Sequence, residues 1–238
     1  MLKPQQNSQL SKKLQIAKMF DNIAKSYDFL NHSLSFGMDF YWRKKAVSKL
    51  TNSPKKILDV ATGTADFAIA ASKLKQVHIT GIDISKKMLE IGKKKIKRKG
   101  LEKQIELQLA DSENLPFKDG SFDAITAGFG VRNFENLQIG LSEMRRVLKQ
   151  NGIAVILEPS KPKTFPIKQI YSVYFHYILP FFGGLISRDK KAYSYLPESV
   201  DTFPENEKFI AILKEVGFSN TKHIPLTFGI VSLYIAIK

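Results

Sequence analysis

The sequence predicts an α/β fold on a mostly parallel sheet, and three observations carry that prediction. From residue 55 onward short apolar runs alternate with amphipathic segments, the pattern of strands joined by crossover helices. The first run, "KKILDVATGTADFAIAAS" (55–72), breaks into small residues and then a helix, as a strand does when it ends in a ligand-holding loop. At the other end two strand-like runs are joined by "PLTFG", so an antiparallel pair is expected to close the C-terminal edge of the sheet.

The elements follow in order. Strands are expected at 56–61, 77–82, 105–109, 122–127 and 153–158, with helices at about 65–74, 85–98 and 135–149 between them. The second helix has Ser85 as its N-cap and Gly100 just past its end, a start and stop pair. The third places Leu137, Leu141, Met144 and Leu148 on one core-facing stripe. An amphipathic helix then opens at Glu207, and strand runs follow at 221–225 and 230–237. A chain of 238 residues fits one large α/β domain. Its expected parts are a helical lid (1–54), a binding core (55–158), a helical insertion (159–205) and a C-terminal helix with its strand pair (206–238). Lid and insertion should lie over the C-terminal ends of the strands, where open α/β sheets bind ligands.

Composition removes several chemistries. The chain has no cysteine, which excludes disulfides, cysteine-held zinc, iron–sulfur clusters and thiolate nucleophiles, and suits a reducing cytoplasm. His32, His78, His176 and His223 show no metal-ligand spacing, so no metal site is expected. The net charge of +15 suggests an anionic partner, nucleic acid or a membrane surface, although the lysines of "KKMLEIGKKKIKRKG" (86–100) read as the solvated face of one helix. The polar N-terminus lacks the apolar stretch of a signal peptide. The segment "IYSVYFHYILPFFGGLI" (170–186) falls short of the roughly 20 residues a spanning helix needs, and Pro180 and two glycines interrupt it. It reads as a buried or membrane-touching helical lobe.

The first loop, Ala61-Thr62-Gly63-Thr64-Ala65-Asp66, lacks both the G-x-G-x-x-G of a dinucleotide site and the G-K-[ST] of a phosphate loop. Asp66 at the helix start would repel a phosphate. A zwitterionic amino-acid end suits this loop better, with the loop at Gly63 and Thr64 for its carboxylate and Asp59 among the acids for its ammonium. The second strand ends in Asp83, placed to accept both hydrogen bonds of a ribose diol. After the third strand, Asp111 can accept from an adenine amino group and the Ser112 amide can donate to a ring nitrogen. Amino acid, ribose and adenine in that order describe S-adenosylmethionine.

The fourth strand is followed by "AGFGVRNFEN" (127–136), without the Asn/Asp-Pro-Pro-aromatic clamp typical of amino-group methylases, and no cysteine is present for covalent pyrimidine chemistry. Both absences weigh against nucleic acid as the partner. "YDFLNHSLSFGMDFYW" (27–42), "FGVRN" (129–133) and "RVLKQNGIAVILEPSKP" (146–162) resemble the signatures of one family, the quinone-biosynthesis C-methyltransferases, which comprises demethylmenaquinone methyltransferase and its ubiquinone-pathway relatives. The likeness runs in order from about residue 15 to the C-terminus. Three positions depart from it: Leu30 for Met, Asp39 for His, and Gln150-Asn151 for Pro-Gly. The first conserves volume and Asn suits a left-handed turn. Asp39 replaces a neutral or cationic group with an anion.

The resemblance implies a class I, Rossmann-like methyltransferase sheet and C-methylation of a prenylated hydroquinone, demethylmenaquinol to menaquinol, with a benzoquinol precursor as the alternative. A phenol titrates near ~10, so the site needs a phenolate stabiliser. Arg132 and Asn133 follow the fourth strand, and Tyr27 with Asp28 would complete the polar ring. Phe165, Tyr171, Tyr174, Phe175, Tyr177, Phe181 and Phe182 would line a tunnel for the prenyl tail, and Lys161, Lys163, Lys168, Arg188, Lys190 and Lys191 could rest on anionic lipid as a peripheral contact. An RNA methyltransferase and a non-catalytic adaptor are the competing readings. The adaptor would have a damaged cofactor loop, whereas Gly63, Asp83 and Asp111 are all in place. A homo-oligomer stays among the options.

Overall fold

A computed structural model describes residues 2–5, 8–179 and 190–238. Five strands, β1 (Lys56–Val60), β2 (His78–Asp83), β3 (Ile105–Leu109), β4 (Phe122–Gly128) and β5 (Leu148–Pro159), run parallel. Two more, β6 (Ser219–Leu226) and β7 (Val231–Ile237), complete a seven-stranded sheet of order β3-β2-β1-β4-β5-β7-β6. The central strands are buried on both faces, which is why they read as continuous apolar runs. The closing pair is antiparallel as expected. However, β7 runs antiparallel to β5 and lies between it and β6, so β6 alone forms the edge.

Helices α3 (Asp66–Ala71), α4 (Lys86–Arg98) and α5 (Leu137–Val147) make the crossovers, and α8 (Glu207–Glu215) precedes β6. Ser85 caps α4 by accepting from the Met88 amide, and Gly100 takes φ +65 beyond its end. The stripe expected on α5 ends one residue early: Leu148 is the first residue of β5, pairing with Phe122, yet it stays fully buried in the same core. Asn151 takes φ +60, the left-handed turn that its side chain tolerates.

One apolar core packs on each face of the sheet, and a third joins the segments outside it. Helix α1 (Lys12–Leu34) supplies Ile16, Met19, Ile23 and Leu30 to this third core, and α4 supplies Met88. Helix α6 (Ile167–Val173), continued by a wider turn over Tyr174–Ile178, adds Tyr171, Phe175 and Leu179. Helix α7 (Lys190–Thr202) adds Tyr195 and Val200. Helix α2 (Met38–Val47) packs beside α3. The N-terminal helix and the insertion thus form one apolar layer beyond the sheet. The lysines of α4 face solvent except Lys95, and among the described residues no helix is long and apolar enough to cross a membrane. Residues 180–186 of the apolar segment, with Phe181 and Phe182, lie outside the described residues, as does Arg188.

Candidate active site

The loop after β1 is held open by its own backbone. Gly63 takes φ +56, and nothing lies within 4 Å of where a Cβ would stand, so a ligand can approach the main chain there. Across from it, Gly130 brings the loop after β4 so close that a Cβ would sit 2.5 Å from the Ala61 Cβ. The carboxylate of Asp83 accepts from the Gly63 amide at 2.8 Å and from the Ser85 amide at 2.8 Å, which locks its orientation. Burial pushes Asp83 up to about 6 despite those amides.

A narrow cleft runs past Gly63, Asp83, Asp111 and Ser112 to Asn133 and Tyr27. Its donor and acceptor set fits an adenosyl amino acid: open main chain at one end, an acid for a ribose diol, and an acid beside a backbone amide for adenine. Lys13 of α1 reaches across to Asp111 in an ion pair, and Lys12 donates to the Phe134 carbonyl at 2.6 Å, so the start of α1 closes over the cleft. Neither lysine stood out in the sequence, because each meets its partner about a hundred residues away.

Asp59 and Thr64, expected beside the cofactor, are not among the residues lining this cleft, and their side chains bond elsewhere. Asp59 is fully buried and accepts from Thr62 Oγ1 and Thr126 Oγ1, both at 2.6 Å. Burial pushes it up to about 6. Its task is to tie β1, its loop and β4 together. Thr64 turns its hydroxyl to Asp28, and Lys95 bridges Asp28, Thr64 and Asp66. His32 and Arg43 extend this charge network to Asp39. Burial opposes the ionised form of Asp39, but Arg43, Ser35 and His32 outweigh it and hold the carboxyl below its usual range. The anion at position 39 therefore has its own cation in Arg43 and further hydrogen-bond partners in Ser35 and His32.

Beyond the cleft lies a second, larger space of about 640 Å³, lined mostly by apolar side chains of α1, α2, α6 and α7 and of the segments that follow β4, β5 and β6. Phe20, Tyr27, Phe129 and Asn133 line both spaces. Asn133 Oδ1 is buried without a hydrogen-bond partner among the described residues. Burial raises the Tyr27 hydroxyl above its ordinary range, with Arg132 pulling the other way. Of the tunnel aromatics, Tyr171, Tyr174 and Phe175 line the cavity, whereas Phe165 and Tyr177 face solvent.

Arg132 enters the cavity from the turn after β4, held by a partner the sequence did not reveal. Glu158, at the end of β5 and fully buried, accepts from Arg132 Nη1 at 3.0 Å and from the Val131 amide at 2.6 Å. Arg132 Nη1 also bonds the Phe129 carbonyl, and Nε donates to Ser199 Oγ at 3.2 Å. Nη2 bonds nothing among the described residues. Burial raises Glu158, and Arg132 lowers it in turn. The signal was an acid closing an otherwise apolar run, "IAVILE".

A donor cleft at the ends of β1 to β4, opening onto an apolar acceptor cavity, defines a class I S-adenosylmethionine-dependent methyltransferase. A SAM-dependent methyltransferase from Thermotoga maritima shares the fold, with a TM-score of 0.67 at 18% identity over 93% of this chain and 99% of that one. The chain belongs to the ubiE/COQ5 methyltransferase family, which matches residues 7–238. It is 47% identical to demethylmenaquinone methyltransferase of Bacteroides fragilis over 100% of this chain and 97% of that protein. It is 49% identical to the ubiquinone/menaquinone biosynthesis C-methyltransferase UbiE of Geotalea daltonii over 94% of this chain and 96% of that one.

Proposed function

We propose that this enzyme methylates a ring carbon of a prenylated hydroquinone, converting demethylmenaquinol to menaquinol. The observation that carries the reading is the apolar cavity meeting the cofactor cleft at Tyr27 and Asn133: a greasy space for a tail, with its polar groups at the junction. The full-length relatives named for menaquinone biosynthesis favour the naphthoquinol over the benzoquinol precursor.

When bound, S-adenosylmethionine supplies an electrophilic methyl group on sulfur. The protein's part is to make the acceptor carbon electron-rich and to hold it in line. Gly63, Asp83, Asp111 and Ser112 hold the donor's amino-acid, ribose and adenine parts. A guanidinium takes no proton; Arg132 Nη2, which bonds nothing among the described residues, stabilises the quinol's phenolate instead. The phenolic proton leaves to water; the proton on the methylated carbon follows when the ring regains aromaticity, and the phenolate is then reprotonated from water. Asn133 Oδ1 accepts from the second hydroxyl, and the Tyr27 hydroxyl, kept protonated by burial, donates. Helix α1 excludes bulk solvent, which strengthens each of these interactions.

Three exposed rings support peripheral contact with a membrane: Phe36 and Phe228, which line the cavity, and Phe165 on the approach to α6 are 83%, 75% and 82% exposed. Lys163 and Lys168 are exposed on the same segment as Phe165. The enzyme should float with vesicles containing anionic lipid, and replacing Phe36 and Phe228 with serine should weaken that binding. Failure of the native enzyme to float would end this part of the reading.

The test of function is methyl transfer from labelled S-adenosylmethionine to chemically reduced demethylmenaquinone, beside a benzoquinol precursor and bulk RNA. Label in menaquinol is the expected result. Label in RNA, or in no acceptor while the cofactor still binds, overturns the assignment.

A further inference from the structure

Two buried hydroxyls have no role in the account so far. Tyr171 on α6 is 8% exposed and Tyr195 on α7 is 3% exposed, yet neither hydroxyl has a hydrogen-bond partner among the described residues. An unpaired buried hydroxyl costs about 1–3 kcal/mol, and a phenylalanine would fill either position without that cost. Tyr174, three residues from Tyr171, shows the ordinary solution, donating to the Leu34 carbonyl at 2.6 Å. Both unpaired tyrosines line the large cavity, as do Arg132 and Asn133. Asn133 Oδ1 is a third orphan at the same place.

Their placement points to the reacting ring. Ser199 stands one helical turn after Tyr195 on α7, and its Oγ accepts from Arg132 Nε, so the Tyr195 face of α7 is the face turned to the guanidinium. The charge of Arg132 acts on both tyrosines. Tyr171 lies flat against Phe175, ring centroids 4.9 Å apart, which holds the plane of its ring. The insertion therefore supplies more than apolar wall.

We propose that Tyr195 and Tyr171 are substrate-contacting residues whose hydroxyls donate to the oxygens of the quinol ring, Tyr195 to the phenolate beside Arg132 and Tyr171 to the other oxygen. This rests on the functional reading above and deepens it. Burial keeps both phenols protonated at neutral pH, Tyr195 pushed up to about 12, so each can donate while the substrate ionises. A hydrogen bond that strengthens as charge develops acts on kcat more than on KM.

The experiment compares the full-length enzyme with Tyr195→Phe and Tyr171→Phe, assaying methyl transfer to reduced demethylmenaquinone across pH. Tyr195→Phe should lower kcat/KM by about 10- to 100-fold, mainly in kcat. It should also move the rising limb of the kcat profile up by about 1 to 2 pH units, because the bound quinol ionises less readily. Tyr171→Phe should show a smaller loss. Both variants should bind S-adenosylhomocysteine like the native enzyme and melt at the same or a higher temperature without substrate, since an unpaired hydroxyl is gone. If both variants keep native kcat/KM and the native pH profile, the proposal is wrong while the functional reading stands. A native enzyme inert toward the quinol overturns both.

Discussion

Replacing Arg132 with methionine separates what this residue does for the fold from what it does for the reaction. The substitution keeps an unbranched side chain but strands Glu158, which is fully buried and would hold only its backbone donors from Val131 and Arg132. Removing one partner of a buried ion pair costs about 3–5 kcal/mol. For a chain of this length that is a fall in Tm of roughly 6–20 °C at neutral pH. The cost should depend on pH. Burial already raises Glu158 above the ordinary range, and losing the guanidinium raises it further. A carboxyl raised in the folded state binds its proton more tightly there than when unfolded. The stability of Arg132→Met is therefore greatest below the ordinary carboxylate range and declines by up to about 1.4 kcal/mol per pH unit until the folded pKa is passed. Thermal unfolding from pH 4 to 8 measures this. Adding Glu158→Gln should then recover most of the lost stability but none of the methyl transfer, because Nη2 is still missing. A pH-independent loss would refute the stranded carboxyl, and a double variant that regained activity would refute the phenolate role.

Two further outcomes follow from the other buried acids. Asp59 is raised to about 6 from an ordinary ~3.9, so its contribution is fully present below pH 4 and lost as pH rises through 6. Asp59→Asn should accordingly gain roughly 3 kcal/mol relative to the native enzyme between pH 4 and 7 in denaturant titrations; an unchanged difference would show that the carboxylate is not strained by burial. Asp83 is likewise raised to about 6, so S-adenosylhomocysteine binding by calorimetry should weaken by up to about 10-fold as pH falls from 7 to 5. Asp83→Asn should bind weakly at both, and native binding that stayed level would remove Asp83 from the ribose.

Much of this was legible before any coordinates. Strands β1, β2, β4 and β5 announced themselves as apolar runs because both faces of a parallel sheet are covered, so burial leaves a continuous mark on the sequence, whereas the edge strand β3 alternates apolar and polar residues. Gly63, Asp83 and Asp111 could be placed because each sits where a strand ends, and strand ends are read locally. The left-handed turn at Asn151 is of the same kind. Asp39 is half such a case. Its partner Arg43 stands one helical turn away, within reach of sequence reasoning, but its second partner His32 is brought there by the bend between α1 and α2.

What the sequence by itself determined is the order of elements, the small-residue loop after β1 and the acids at the strand ends, because periodicity, caps and turns depend on neighbours along the chain. The tertiary structure decided the rest. It placed β7 between β5 and β6, turned Asp59 inward to two threonines, closed α1 over Asp111 through Lys13, and set Glu158 beneath Arg132. Each of these joins groups distant in sequence, or chooses which face of a strand a side chain takes. A buried charge takes its partner from whichever strand lies alongside, and here the adjacency of β4 and β5 makes that choice.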